Sequence, residues 1–406
     1  MRERTIAIIG GGPAGATAAE TLAHGWGLRD GGGRGRRVLV LEEKMGWEKP
    51  CGGGLTHKAL RQYPFLALAA SGGNALRELE FVASTGTVMH VHLRMPLVVY
   101  SRSTLNQLLL RRAGDAGAEV IADRVLHLRR KDHGWEIEGR GRTYRADMVV
   151  LAAGARTRLR QIFVNDISPR DFMLTFGYYL SVPCGMLRVR FYEKFEGYAW
   201  AFPRPNHVSV GICGKVGATS MAAMQARLSS FMRESGYAPD PAQVFSHLLP
   251  SLSTESWGNL QLCGQGWALV GDAAGLVDPV TGEGIYYAMR SGELLGRALL
   301  EDAPQLYPQR VRDDFGRALA TGARLARLFY HGELLGGGIT TRMIECGARS
   351  GKIREIVQDL MDGTHSYSGL MARLQTTLAR TLLETGVGYL REVAGAGRDS
   401  LETNQL

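Results

Sequence analysis

One motif constrains this chain more than any other feature: Gly10-x-Gly12-x-x-Gly15, set directly after the apolar run Thr5–Ile9. The spacing alone is weak, because glycines at these intervals also occur in turns that bind nothing. The setting carries the weight. Thr5–Ile9 reads as a buried parallel strand, and an Ala-rich helix is predicted over Pro13–Ala23. Residues 25–37, GWGLRDGGGRGRR, read as a polar glycine loop. Val38–Leu41 then reads as a second buried strand ending on Glu42. Together these form a βαβ unit of dinucleotide-binding type. In it Gly10 permits the tight turn, Gly12 lets the backbone approach a pyrophosphate, and Gly15 lets helix and strand pack closely. The helix start at Pro13 and Ala14 would offer its positive dipole end to phosphates. Glu42 is the candidate for the ribose hydroxyls, with Glu43 as its alternative because strand ends are uncertain by a residue or two.

A second glycine cluster lies far along the chain. The predicted strand Trp267–Val270 closes on Gly271-Asp272, and Gly282-Glu283-Gly284-Ile285 opens a predicted helix over 285–300. Asp272 could bond the hydroxyls of a ribityl chain. The N-terminus at Gly282, Gly284 and Ile285 could stabilise negative charge on a reduced flavin. Two separated helix starts suit a long cofactor with pyrophosphate at one and isoalloxazine at the other. That points to FAD, held non-covalently, rather than to NAD alone.

Further short strands are expected at Ala118–Ile121, Met148–Ala152 and, as a pair, Trp135–Ile137 with Thr143–Tyr144; a helix is expected over Ser103–Ala116. The fold class is therefore α/β, with a Rossmann-type FAD-binding domain over 1–59, 101–161 and 263–300. Alternating patterns such as Leu187, Val189 and Phe191 predict an antiparallel-sheet substrate domain over 60–100 and 162–262. Residues 301–406 form an Arg-rich helical C-terminal region. There Arg310, Arg317 and Arg324 recur on one helix side and Val311, Phe315 and Leu319 on another, a pattern that fits a solvated face or an anionic lipid surface.

The formal net charge is +9, which biases the chain toward anionic partners. Nucleic acid ranks low, since there is no zinc-ligand spacing, no RNP-like aromatic motif and no dense basic block. The 10 histidines show no metal-ligand pattern, so no metal is expected. Five scattered cysteines fit a reducing cytoplasm better than a disulfide framework. The first apolar run is too short for a secretory signal, and no stretch reaches the roughly 18 apolar residues needed to cross a bilayer. A cytoplasmic protein, able to sit peripherally on a membrane, is expected.

Three more segments carry a resemblance: Lys49-Pro50-Cys51-Gly52-Gly53-Gly54, Tyr198-Ala-Trp200-Ala-Phe202-Pro203, and Arg102 at the start of a Leu-faced helix. With the two glycine motifs, the chain resembles the geranylgeranyl reductase family, within the flavoprotein group that includes the aromatic hydroxylases. The resemblance implies that Cys51, Gly52 and Gly53 lie near the flavin, that Arg102 contacts FAD, and that Tyr198, Trp200 and Phe202 line a lipid-chain cavity. It implies reduction of carbon–carbon double bonds in a polyprenyl lipid by hydride from reduced flavin. Cys51 or an enclosed water is the candidate proton source, and Cys51 could equally be a small buried residue. The chain reads Ala152-Ala153-Gly154 where the hydroxylases carry Ala-Asp-Gly. That predicts poor direct reduction by NADH or NADPH and a reduced ferredoxin-type donor. Two other classes stay open: a flavin monooxygenase, and a flavoprotein that binds and modifies a protein partner.

Overall fold

The computed structural model describes residues 4–30, 35–68, 72–182, 185–240, 243–334 and 336–363, with 367, 369–370, 372–373 and 376–377. In chain order the strands are β1 (Arg4–Ile9), β2 (Arg36–Leu41), β3 (Gly54–Leu55), β4 (Gly73–Val82), β5 (Val88–Tyr100), β6 (Glu119–Ile121), β7 (Val125–Lys131), β8 (Gly134–Gly139) and β9 (Thr143–Ala146). They continue as β10 (Met148–Leu151), β11 (Phe172–Leu180), β12 (Leu187–Phe191), β13 (Gly197–Pro203), β14 (Val208–Lys215), β15 (Val244–Pro250), β16 (Cys263–Gly264) and β17 (Trp267–Leu269). The helices are α1 (Pro13–Asp30), α2 (His57–Gln62), α3 (Phe65–Leu68), α4 (Arg102–Asp115), α5 (Met221–Glu234) and α6 (Thr254–Gly258). After them come α7 (Ile285–Leu300), α8 (Tyr307–Val311), α9 (Arg317–His331), α10 (Ile339–Arg349) and α11 (Gly351–Asp362).

The first sheet has the order β16-β17-β10-β1-β2-β6 and is parallel except at its β16 edge. Central strands of such a sheet are covered on both faces, which is why Ile6–Ile9 of β1 is an unbroken apolar run. Ile6, Ala7 and Ile8 are fully buried. α1 and α7 lie side by side at very close range: a Cβ on Gly292 would stand 2.2 Å from the Ala14 carbonyl oxygen. Small residues on both helices permit that approach and bring both helix starts to the same end of the sheet.

One expectation is corrected here. Residues 25–30 are not loop but the last turns of α1, which runs to Asp30. Tertiary packing overrides the local glycine signal. Trp26 is buried, and Gly25 faces Leu300 so closely that a Cβ there would lie 2.4 Å from its methyl carbon.

The second sheet has the order β15-β11-β14-β13-β12-β4-β5-β3. It is antiparallel as expected except where β4 meets β12, which pair in parallel with Leu79 opposite Leu187. These two strands come from separate segments of chain joined by a long connection, so no hairpin fixes their relative direction. β3 pairs with β5, Gly54 opposite Val99, so the glycine loop after Lys49 leads directly into this sheet. A small third sheet, β7-β8-β9, places Ile137 opposite Tyr144, the pairing expected of those two short strands. The C-terminal region is mostly helical as far as Asp362, interrupted by a short antiparallel ladder of Glu333–Leu334 with Gly337–Gly338; residues 378–406 lie outside the described residues. α10 and α11 close over the second sheet, with Ile344 and Val357 packed on Leu79, Val91 and Leu187. Val311, Phe315 and Leu319 are buried as their spacing predicted, while Arg317 pairs with Asp313 at the surface.

Candidate active site

A cavity of about 1040 Å³ runs between the two large sheets. Gly10, Gly12, Pro13, Ala14, Glu42, Glu43, Cys51, Gly52, Gly53, Arg102, Asp272, Gly282, Gly284 and Ile285 line it, as do Tyr198, Trp200 and Phe202. Only Gly15 and Gly271, of the residues singled out from sequence, lie beneath its wall. Both are there for packing: a Cβ on Gly15 would meet the Gly10 carbonyl oxygen at 1.9 Å, and one on Gly271 would meet Ala14 at 2.8 Å.

At the α1 end, Gly10 takes φ of 102° and its missing side chain leaves room for Ala152. Gly12 differs, since a Cβ there would point into open space. Its lack of a side chain serves whatever approaches from the cavity. Glu42 ends β2 and holds the loop itself: Gly11 N–H donates to Oε2 at 2.6 Å and Lys44 N–H to Oε1 at 2.7 Å. Each oxygen keeps acceptor capacity for a ribose hydroxyl. Glu43 stands at the rim, paired with Arg124 at 3.3 Å.

The Cys-Gly-Gly-Gly segment is shaped by what presses on it. The Phe202 ring lies against Gly52 and Gly54, where a Cβ would come within 3.3 and 3.0 Å. Gly53 has φ of 85° and would clash with the Tyr100 carbonyl at 2.1 Å. Arg204 and the Ser209 hydroxyl, at 3.1 Å, both donate to the Cys51 carbonyl, while Gly53 N–H donates to Cys51 Sγ at 3.3 Å. Glu48 then fixes Arg102. Its carboxylate accepts from the N–H groups of Arg102 at 2.8 Å and Ser103 at 3.0 Å, capping α4, and pairs with buried Arg204. Burial alone would raise the Glu48 carboxyl, but Arg204, Ser101 and the two N–H groups hold it below its ordinary value. Arg102 is buried, and its Nε has no hydrogen-bond partner among the described residues.

At the α7 end, Asp272 pairs with Lys49 Nζ at 2.6 Å. Burial pushes this carboxyl up, and Lys49, with His247 and Arg102 behind it, pulls it below the usual range. His247 of β15 sits beside the pair, its ring edge-on to Trp47 at 6.2 Å. Burial and then the Lys49 charge keep it neutral. Tyr198 ties the substrate sheet to the turn before α7, its hydroxyl donating to the Thr281 carbonyl at 2.6 Å. Tyr198, Trp200 and Phe202 share one face of β13, with Leu97, Leu249, Leu360 and Met361 completing an apolar half of the cavity.

Lys49, Glu48, Arg204, His247, Glu283 and the α11 pair Leu360–Met361 are site residues that sequence reasoning did not assign. Lys49 and Glu283 each stood inside a quoted motif without being given a role; the others gave no local signal. The residues present fit FAD. Two helix starts open on one long cavity, Gly12 leaves space for a pyrophosphate, and the buried Arg102 Nε lacks a protein partner.

Comparisons with known proteins agree with that geometry. Residues 4–165 match the family described as pyridine nucleotide-disulphide oxidoreductase, and residues 98–293 match FAD dependent oxidoreductase. The chain is 27% identical over 336 residues to a chloroplastic geranylgeranyl diphosphate reductase of Nicotiana tabacum, covering 74% of this chain and 67% of that protein. It is 28% identical over 371 residues to a menaquinone reductase of Mycobacterium tuberculosis, covering 80% and 83%. The chain thus spans about two thirds of the length of the plant relatives it matches. Among solved structures, a geranylgeranyl bacteriochlorophyll reductase-like protein from Thermoplasma acidophilum superposes with a TM-score of 0.73 at 20% identity, covering 92% of this chain and 99% of that one.

Proposed function

Since the chain belongs to the geranylgeranyl reductase family of FAD-dependent oxidoreductases, we propose that it saturates carbon–carbon double bonds in a polyprenyl group. FAD is its non-covalent cofactor, and when bound and reduced it supplies a hydride equivalent. The protein's own residues do the rest. Gly12 and Arg102 would receive the phosphates, Glu42 the ribose and Asp272 the ribityl chain. The Cys51–Gly53 loop, pinned by Arg204 and Phe202, would hold the cofactor against the apolar half of the cavity.

One observation carries the substrate reading: the aromatic face of Tyr198, Trp200 and Phe202 continues the nucleotide site without a break. A prenyl chain has no polar handle along its length, so only apolar area can hold it, at about 25 cal/mol per Å² removed from water. The same wall keeps water from the reacting carbons. Ala153 is exposed at the cavity edge, where a carboxylate would otherwise stand to engage a nicotinamide; this supports a reduced ferredoxin-type protein as electron donor. A prenyl lipid partitions into membranes, so the substrate would be reached at a membrane surface; among the described residues no helix is long and apolar enough to cross one.

The test is anaerobic single turnover. Chemically reduced holoenzyme is mixed with a geranylgeranyl lipid, and the extracted lipid is weighed by mass spectrometry. A gain of two hydrogens per reduced bond is expected. An unchanged lipid, with oxygen consumed and a hydroxylated product formed in air, would instead identify a monooxygenase.

A further inference from the structure

Saturating an alkene needs a proton as well as a hydride, and the cavity holds one carboxyl placed to give it. Glu283 lies in the turn between Thr281 and α7, where the nucleotide half of the cavity meets the apolar half. Its Oε1 accepts a hydrogen bond from the Thr56 hydroxyl at 3.0 Å. Thr56 follows the Cys-Gly-Gly-Gly segment, so this contact joins the two loops that face the cofactor. On the other side Tyr198, from the aromatic wall, is bonded to Thr281 two residues before Glu283. Among the described residues Glu283 makes no ion pair, in contrast to Asp272, which is paired with Lys49.

We propose that Glu283 is the acid that protonates the substrate alkene. This rests on the function proposed above. As the hydride brings its own electron pair to one alkene carbon, the π pair shifts onto the other, where negative charge develops. The Glu283 O–H bond breaks, its proton forms the second C–H bond, and both electrons of that bond come from the alkene π pair. The products are a saturated carbon pair, oxidised cofactor and a Glu283 carboxylate, which regains its proton from solvent.

The surroundings suit an acid that cycles. Burial raises the carboxyl to about 7, against Lys58 of α2 and the Thr56 hydrogen bond, which lower it; Asp278 in the same turn adds to the rise. Tyr286 and Tyr287 of α7 and Tyr367 also face this group. A carboxyl of that strength is proton-loaded near neutral pH and re-protonates without delay, which is where a general acid works best. The Lys58 charge, which acts against the rise of the Glu283 carboxyl, would stabilise the carboxylate left behind. Asp278 is a poorer candidate: its oxygens are taken up by Tyr367, Val280 and Thr281.

Two measurements on the FAD-loaded protein test this. The first needs no substrate. Infrared titration of the oxidised holoenzyme from about pH 5 to about pH 9 should show a protonated-carboxyl band that fades through about pH 7 and is missing in Glu283→Gln. That variant keeps an oxygen for Thr56. The second is single turnover of chemically reduced enzyme with a prenyl lipid. Wild type should slow above about pH 7, and Glu283→Gln should lose roughly 10²–10⁴-fold in rate and lose the pH limb, with FAD content and lipid affinity retained. An unchanged rate in Glu283→Gln, or a limb that moves with Cys51→Ala instead, overturns the assignment of the acid alone. Failure of wild type to reduce any prenyl alkene removes the reaction itself, and the proton's destination with it.

Discussion

Glu42 shows how one side chain serves both scaffold and ligand. Its carboxylate accepts from Gly11 and Lys44 in the protein, so part of its worth lies in shaping the glycine turn before FAD arrives. Glu42→Ala should weaken FAD binding by about 1.5–3 kcal/mol, the range for a hydrogen bond to a charged group, and should loosen the turn in the apoprotein. Fluorescence titration with FAD reads the first effect, and hydrogen exchange at Gly11 reads the second; unchanged affinity would move the ribose role to Glu43. Glu283 makes a prediction about stability that is separate from turnover. Its folded value of about 7 stands above the ordinary 4.5. Between those values the folded chain holds a proton that the unfolded chain has released, so rising pH favours unfolding. The melting temperature of wild type should therefore fall relative to that of Glu283→Gln from about pH 4.5 to about pH 7, then run level. A difference independent of pH would show that this carboxyl is not held in its neutral form.

At the scale of elements, the packing of α1 on α7 sets the site more than any single ligand contact. Both helices begin on the cavity, and at Gly292 the α1 backbone comes so near that a side chain has no room. Gly292→Ala must push them apart, because the obstacle at 2.2 Å is a backbone oxygen with no rotamer to adopt. Overpacking of this kind costs about 1–3 kcal/mol, and here it also displaces the Gly12 turn. Denaturant midpoints with and without FAD should both fall, with a larger fall for the FAD-bound form; equal shifts would mean that helix spacing and cofactor site are independent. Sequence reading placed α7 at its observed bounds because a glycine pair opens it and its apolar positions keep helical period. It ended α1 too early because GWGLRDGGG carries loop composition, while the burial of Trp26 and the fit of Gly25 against Leu300 come from a partner far along the chain. The aromatics of β13 were legible as one face by alternation. Trp200 is in addition a core residue, 4% exposed and stacked over Gly211, so wall and core are one surface there.

Across the whole molecule, α11 closes the apolar half of the cavity with Leu360 and Met361 and is tethered by Asp359, which pairs with Arg94 of β5 and with Arg373. Burial pushes the Asp359 carboxyl up, and the hydrogen bonds and charges of Arg373 and Arg94 more than reverse that, leaving it below 3.8. A lowered value means that the tether is intact at neutral pH and is lost as the carboxyl protonates in acid. Asp359→Asn should reproduce that loss at neutral pH: amides of 351–362 should exchange faster while those of β1 stay protected, and the preference among prenyl chain lengths should relax. Unchanged exchange in α11 would show that Ile353, Ile356 and Val357 hold it without the ion pairs. The βαβ unit, the two glycine turns, the choice of FAD and most strand positions were readable from sequence, because they depend on signals within a few residues: apolar period, glycine where φ turns positive, proline at a helix start. Lys49 beside Asp272, Phe202 on Gly52 and Gly54, Arg204 on the Cys51 carbonyl, and α11 over the cavity were not. These partners stand 148 to 265 residues apart where their hydrogen bonds or contacts join them, and no local pattern records which distant side chains will meet. The strength of Glu283 as an acid belongs to the same class, since it depends on how much water the assembled walls remove. Sequence settled which cofactor the chain is built to hold, and tertiary structure decided which carboxyl keeps a proton beside it, because desolvation is a property of the closed fold and not of any stretch of chain.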